Sequence, residues 1–142
     1  MKWLALTAFL AACGADAPLV RTPALDQLAI ATVWRTAFGR SDTAPAVVFE
    51  DVPECEDDGY DGVWLYHSLT GRSCVRGYTL QTPETIRVFY GGSYSDSPLA
   101  HECAHVLVMR TTDLGVDPEH TDPRFHDDTV PNALQALRNE SL

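Results

Sequence analysis

Lysine is almost absent from this sequence: the only one is Lys2, and the other nine basic residues are arginines. Against them stand 20 acidic residues, giving a formal charge of −10 and an isoelectric point near 4.7. A chain so poor in positive charge excludes recognition of a phosphate backbone, which needs clustered Lys and Arg, so no nucleic-acid partner is expected. Long apolar runs are missing too. The most apolar stretch, Trp3 to Ala12, has ten residues, where a membrane-spanning helix needs about 20. There is no internal repeat and no low-complexity segment. What is present is enough for a core: 45% of the 142 residues are hydrophobic, which excludes disorder and allows one globular domain, expected as a monomer.

The N-terminus has the order of an export signal. Met1-Lys2 is a short positive region, Trp3 to Ala12 is the apolar region, and Leu10-Ala11-Ala12-Cys13 follows. This last run resembles the bacterial lipobox. The resemblance implies cleavage before Cys13 and lipid on that cysteine, holding the protein to a membrane of the cell envelope. Gly14 stands where an Asp often marks inner-membrane retention, which favours the periplasmic face of the outer membrane or the cell surface. The chain then divides into a signal peptide (1–12), a lipidated cysteine and tether (13–22) and one folded domain (23–142). Export permits disulfides, and Cys55 and Cys74, 19 residues apart, are expected to pair.

Apolar spacing predicts a helix over 24–38, carried by Leu25, Leu28, Ile30, Val33, Trp34, Ala37 and Phe38 and stopped by Gly39. Strands are expected at 46–50, 63–69, 74–80 and 85–90, the last alternating Ile86, Val88 and Tyr90 before Gly91-Gly92. The acidic stretch 50–61 reads as a solvated loop; its spacing does not fit an EF-hand, and whether it binds a metal stays open. A second helix is expected from Pro98 to Arg110 with Ser97 as its N-cap, then a loop over 111–130 and a short helix over 131–139. The fold class is therefore α+β, with a three- to four-stranded, mainly antiparallel sheet.

The second helix carries His101-Glu102-Cys103-Ala104-His105, an H-E-x-x-H motif. At about 100° per residue, positions 101 and 105 lie about 40° apart, so both imidazoles reach one ion. Glu102 lies about 100° round, placed to act as general base on a water without binding the metal itself. Cys103 lies about 200° round, on the core side with Leu99, Val106 and Leu107, and is expected as a buried free thiol. Zn²⁺ is the expected cofactor, and it needs a third ligand and an open position. His120 is the leading candidate; Asp117, Glu119 and His126 stay open as competitors. His67 has no partner motif and is expected on a strand surface or in the core.

The residues His101, Glu102, His105, His120, Pro123 and Phe125 resemble the pattern of SprT/Spartan-type zinc metallopeptidases. There, a comparable loop leads from the H-E-x-x-H helix to a histidine followed by Pro and an aromatic. The resemblance implies a small zincin-like domain that hydrolyses a peptide or protein substrate. It covers residues 97–126 in motif and about 24–140 in element order. Thr121 departs from the Gly that usually follows the third histidine. The acidity and export signal separate this chain from relatives that act inside cells, often on DNA-bound proteins. In zincins the strand before the helix lines the cleft, here 85–90, whose edge a peptide could join. Tyr90, Tyr94, Arg124 and His126 are candidates for a second electrophile. A non-catalytic zinc-binding surface lipoprotein is the alternative reading.

Overall fold

The computed structural model describes residues 23–67, 71–89 and 96–140. The expected signal segment, Cys13 and the expected tether, together with Tyr90, Gly91-Gly92 and Tyr94, lie outside the described residues, as do the side chains of His67 and Ser97. The class is α+β. Helix α1 (Pro23–Thr36) is followed by strands β1 (Ala46–Glu50), β2 (Cys55–Asp57), β3 (Tyr60–His67), β4 (Gly71–Val75), β5 (Gly77–Gln81) and β6 (Glu84–Phe89). Helix α2 (Asp96–Thr111), a 3-10 turn (Pro123–Phe125) and helix α3 (Thr129–Glu140) complete the chain. No described helix is long and apolar enough to cross a membrane.

The strands form two three-stranded sheets instead of one. The first has the order β1-β6-β5, with β1 parallel and β5 antiparallel to β6. The second is the antiparallel meander β2-β3-β4. The continuous strand expected over 74–80 is divided at Arg76. Val75 still pairs with Val63 in the meander, while Gly77 pairs with Val88 in the other sheet. The Arg76 carbonyl accepts the Phe89 N–H at 2.9 Å and stitches this crossing point.

Part of the acidic stretch is strand and not loop. Asp57 pairs with Tyr60 across Asp58-Gly59, whose φ values of +47° and +81° make a two-residue turn of the primed type. Gly59 suits this because a side chain resists positive φ. The acidic side chains Glu56, Asp57, Asp58 and Asp61 point to solvent. The disulfide Cys55–Cys74 forms as expected, joining β2 to β4 across β3.

The helices pack on the first sheet. The core unites Ile30, Val33 and Trp34 of α1, Ile86 and Val88 of β6, Leu99, Cys103, Val106 and Leu107 of α2, and Ala133 and Leu137 of α3. Leu28, expected on the buried face of α1, is 65% exposed; the helix turns Ala29 and Ile30 inward in its place. Helix α2 begins at Asp96, so Ser97 stands in its first turn and not at the cap. Helix α3 begins two residues before its expected start. At the far end of α2, Arg110 pairs with Glu84 and with Asp42, donates to the Thr43 carbonyl and lies 5.0 Å over the Trp34 ring. These bonds tie α2 to β6 and to the loop after α1, fixing the helix that carries the histidines.

Candidate metal centre

His101 and His105 project from one side of α2, as their i, i+4 spacing requires, and His120 meets them from the following loop. The three Nε2 atoms form a nearly equilateral triangle, with sides of 3.1 Å (His101–His105), 3.1 Å (His101–His120) and 3.2 Å (His105–His120). Among the described residues this is the only group of three or more His, Cys, Asp or Glu side chains close enough to hold one metal ion. The acidic stretch supplies no second one. The Phe125 ring packs against all three imidazoles, 4.5 Å from His120, 4.6 Å from His105 and 5.6 Å from His101 between ring centres.

The electronic state of the imidazoles suits ligation. His105 Nδ1 lies 2.6 Å from the Val116 carbonyl oxygen, an acceptor, so Nδ1 carries the proton and the neutral ring presents a lone pair at Nε2. Burial lowers the His105 pKa to about 4. Burial, with the neighbouring His120, also lowers that of His101. Both rings are therefore neutral at neutral pH, as metal ligation requires.

The loop that delivers His120 is held by Asp117. Its Oδ1 accepts from the Thr121 N–H at 3.0 Å and the Thr121 hydroxyl at 2.7 Å, and its Oδ2 accepts from the Asp122 N–H at 2.8 Å. His120 itself adopts φ +53°, an uncommon state for a side-chain-bearing residue, and its N–H donates to the Asp117 carbonyl at 3.1 Å. Asp117 is thus a loop clamp and not a rival ligand. Glu119 is exposed and outside the triangle. His126 Nε2 faces the backbone carbonyl of His120 at 2.8 Å, so it braces the third histidine without joining it. Arg124, expected among the electrophiles, is engaged elsewhere: it pairs with Asp122 and donates to the Thr111 hydroxyl at 2.6 Å, locking the loop to the end of α2.

Glu102 lies beside the triangle, 6% exposed. Burial raises its pKa to about 7, against an opposing hydrogen bond from Thr79. That hydroxyl is 2.8 Å from Glu102 Oε2 and 3.2 Å from the Glu102 carbonyl oxygen. Cys103 is buried and free on the opposite side of α2, its thiol pushed up to about 12 by burial and then by Glu102. It is a core residue, as its helical position predicts.

A cavity of about 690 Å³ opens next to His101 and Glu102. Its walls include Pro98 of α2, Gly77 of β5, and Val130, Pro131 and Leu134 from the first turns of α3. The strand bordering the site is β5 and not β6. In this sheet β6 is central and paired on both sides, so it has no edge to offer a peptide, whereas β5 is an edge strand among the described residues. Two residues that sequence reading did not single out, Gly77 and Thr79, therefore touch Glu102. No local signal marks them, since only the sheet topology brings β5 to α2. The Asp117 clamp did leave a signal, in an acidic side chain followed at short range by Thr121 and Asp122.

The chain was compared with protein families, curated proteins and solved structures, and it matches none of them.

Proposed function

We propose that this protein is an exported, lipid-anchored zinc metallopeptidase of zincin type, acting as a monomer on a peptide or protein substrate. The observation that carries the reading is the His101–His105–His120 triangle with a buried carboxylate, Glu102, beside it and an open cavity next to both. Tetrahedral zinc with nitrogens at about 2.05 Å needs those nitrogens about 3.3 Å apart. The observed 3.1 to 3.2 Å is close to that spacing. Three ligands with no fourth among the described residues suit a catalytic centre better than a structural one. Export draws support from the residues around Cys13 and from the disulfide Cys55–Cys74, which an oxidising compartment maintains.

Bound zinc supplies Lewis acidity, polarising a carbonyl and easing deprotonation of water. The chain's residues do the rest. His101, His105 and His120 hold the ion, and Val116 and Asp117 hold the histidines. Glu102, held buried beside the histidines, takes the proton of the attacking water and passes it to the departing amine. Substrate backbone can add to the free edge of β5, and the cavity walls of Pro98, Val130, Pro131 and Leu134 favour an apolar side chain.

Purified protein loaded with zinc should cleave members of a peptide library. Glu102→Gln should abolish cleavage while retaining one zinc per chain, and equal activity in that variant refutes the mechanism. Zinc without cleavage by the unaltered protein leaves the non-catalytic, metal-binding lipoprotein. Anchoring is checked in cells, where Cys13→Ala should release the protein from the membrane fraction.

A further inference from the structure

Among the described residues, Glu102 is the one acidic side chain that is both buried and outside an ion pair or loop clamp. A buried carboxylate requires hydrogen-bond partners. Its protein partner is Thr79, on the strand that faces α2. Thr79 is 8% exposed, and its Oγ1 lies 2.8 Å from Glu102 Oε2 and 3.2 Å from the Glu102 main-chain oxygen. Gly77, two residues earlier and so on the same face of β5, makes this approach possible. A Cβ there would stand 3.3 Å from Glu102 Cγ and 3.2 Å from the Arg87 carbonyl oxygen. The strand has no side chain where the glutamate passes and a hydroxyl where the carboxylate ends.

We propose that Thr79 is a positioning residue for Glu102: its hydroxyl fixes the carboxylate against β5 through Oε2 and leaves Oε1 to address the reacting water. This rests on the metallopeptidase reading for its use, but the positioning itself does not. The same hydroxyl contact to Oε2 serves both halves of the proposed proton cycle. While Glu102 is a carboxylate, Thr79 donates to Oε2. While Glu102 carries the proton taken from water on Oε1, Oε2 remains an acceptor and Thr79 still donates to it. In both states Oε2 keeps its partner, and the proton moves only from the water to Glu102 and on to the departing amine.

The test compares Thr79→Val, which keeps the shape and removes the hydroxyl, with Thr79→Ser, which keeps the hydroxyl. Valine is at home in a buried strand, so both variants should fold and bind zinc like the parent. Crystal structures of the metal-free proteins give the first readout: Glu102 should leave its place against β5 in Thr79→Val and keep it in Thr79→Ser. The second is turnover of a cleaved peptide by the zinc-loaded full chain. Thr79→Val should lose roughly 10- to 100-fold in kcat, the worth of one hydrogen bond to a charged group, with KM within twofold. Thr79→Ser should stay within threefold of the parent in kcat. An unmoved Glu102 in Thr79→Val overturns the proposal, as does a serine variant as impaired as the valine one. If the parent shows no turnover while Glu102 moves in Thr79→Val, the positioning stands and the metallopeptidase reading falls.

Discussion

Removing His120 tests the metal centre most sharply, because three nearby side chains compete for its role and the geometry separates them. Zinc sites with four protein ligands are worth about 10–16 kcal/mol near neutral pH, or about 2.5–4 kcal/mol per ligand. His120 Nε2 closes the triangle at 3.1 and 3.2 Å, so it is close enough to serve as a full ligand. His120→Ala should therefore weaken zinc binding by about 10²- to 10³-fold, at about 1.4 kcal/mol per decade. His126 contributes only a hydrogen bond to the His120 carbonyl from an exposed position, so His126→Ala should cost less than about fivefold. Asp117→Ala leaves all three imidazoles intact but removes the acceptor of three loop hydrogen bonds, which places it between the two at roughly 10- to 100-fold. Competition against a chromophoric chelator at pH 7.5 reads all three affinities. A His120→Ala protein within fivefold of the parent, or a His126→Ala protein as weak as His120→Ala, refutes this assignment of the third ligand.

Two further outcomes concern stability. In metal-free protein, Glu102 has its pKa raised from 4.5 to about 7, so its contribution is intact below pH 4.5 and is lost as pH rises through 7. His105 is depressed from 6.5 to about 4, so its contribution is intact above pH 6.5 and is lost as pH falls through 4. Each limb amounts to about 3 kcal/mol at most. Urea unfolding in chelator should thus show Glu102→Gln gaining on the parent as pH rises from 4.5 to 7.5, and a difference that stays flat with pH contradicts the burial argument. The disulfide closes a loop spanning 19 residues, worth about 3 kcal/mol. The double variant Cys55→Ser/Cys74→Ser should lose that much unfolding free energy with zinc affinity unchanged. Stability within about 0.5 kcal/mol of the parent would show that the bond does not staple the meander.

The parts of the site that were legible in the sequence are those whose geometry is set within a few residues. The i, i+4 spacing of His101 and His105 fixes two ligands on one side of any helix, and the same arithmetic sends Cys103 to the core. His120 was legible at one remove, through a loop of suitable length and the pattern of residues after it. Arg124 and His126 stood among the open candidates because residue type shows chemical capacity and not what a side chain is already bonded to. The hairpin at Asp58-Gly59 carried a recognised turn signal, but the density of acidic residues around it reads equally well as solvated loop. The one local hint of the division at Arg76 is Gly77, a glycine inside the expected strand; the residues on either side of it otherwise read as strand.

That division has a functional consequence. Were β4 and β5 one strand, Gly77 and Tyr78 would continue the meander's register against Asp61 and Tyr60 of β3. Instead, the chain changes sheets at Arg76, and β5 becomes the edge of the sheet on which α2 packs. This brings Gly77 and Thr79 to Glu102, while the same helix turns Leu99, Cys103 and Val106 into the core. A glutamate in the first half of a helix packed on its apolar side would ordinarily swing to solvent. Here the edge strand meets it with a gap and then a hydroxyl, so the carboxylate stays beside the histidines and lines the cavity. The H-E-x-x-H spacing fixes which side of α2 Glu102 leaves from, and the crossing at Arg76 determines what it meets there.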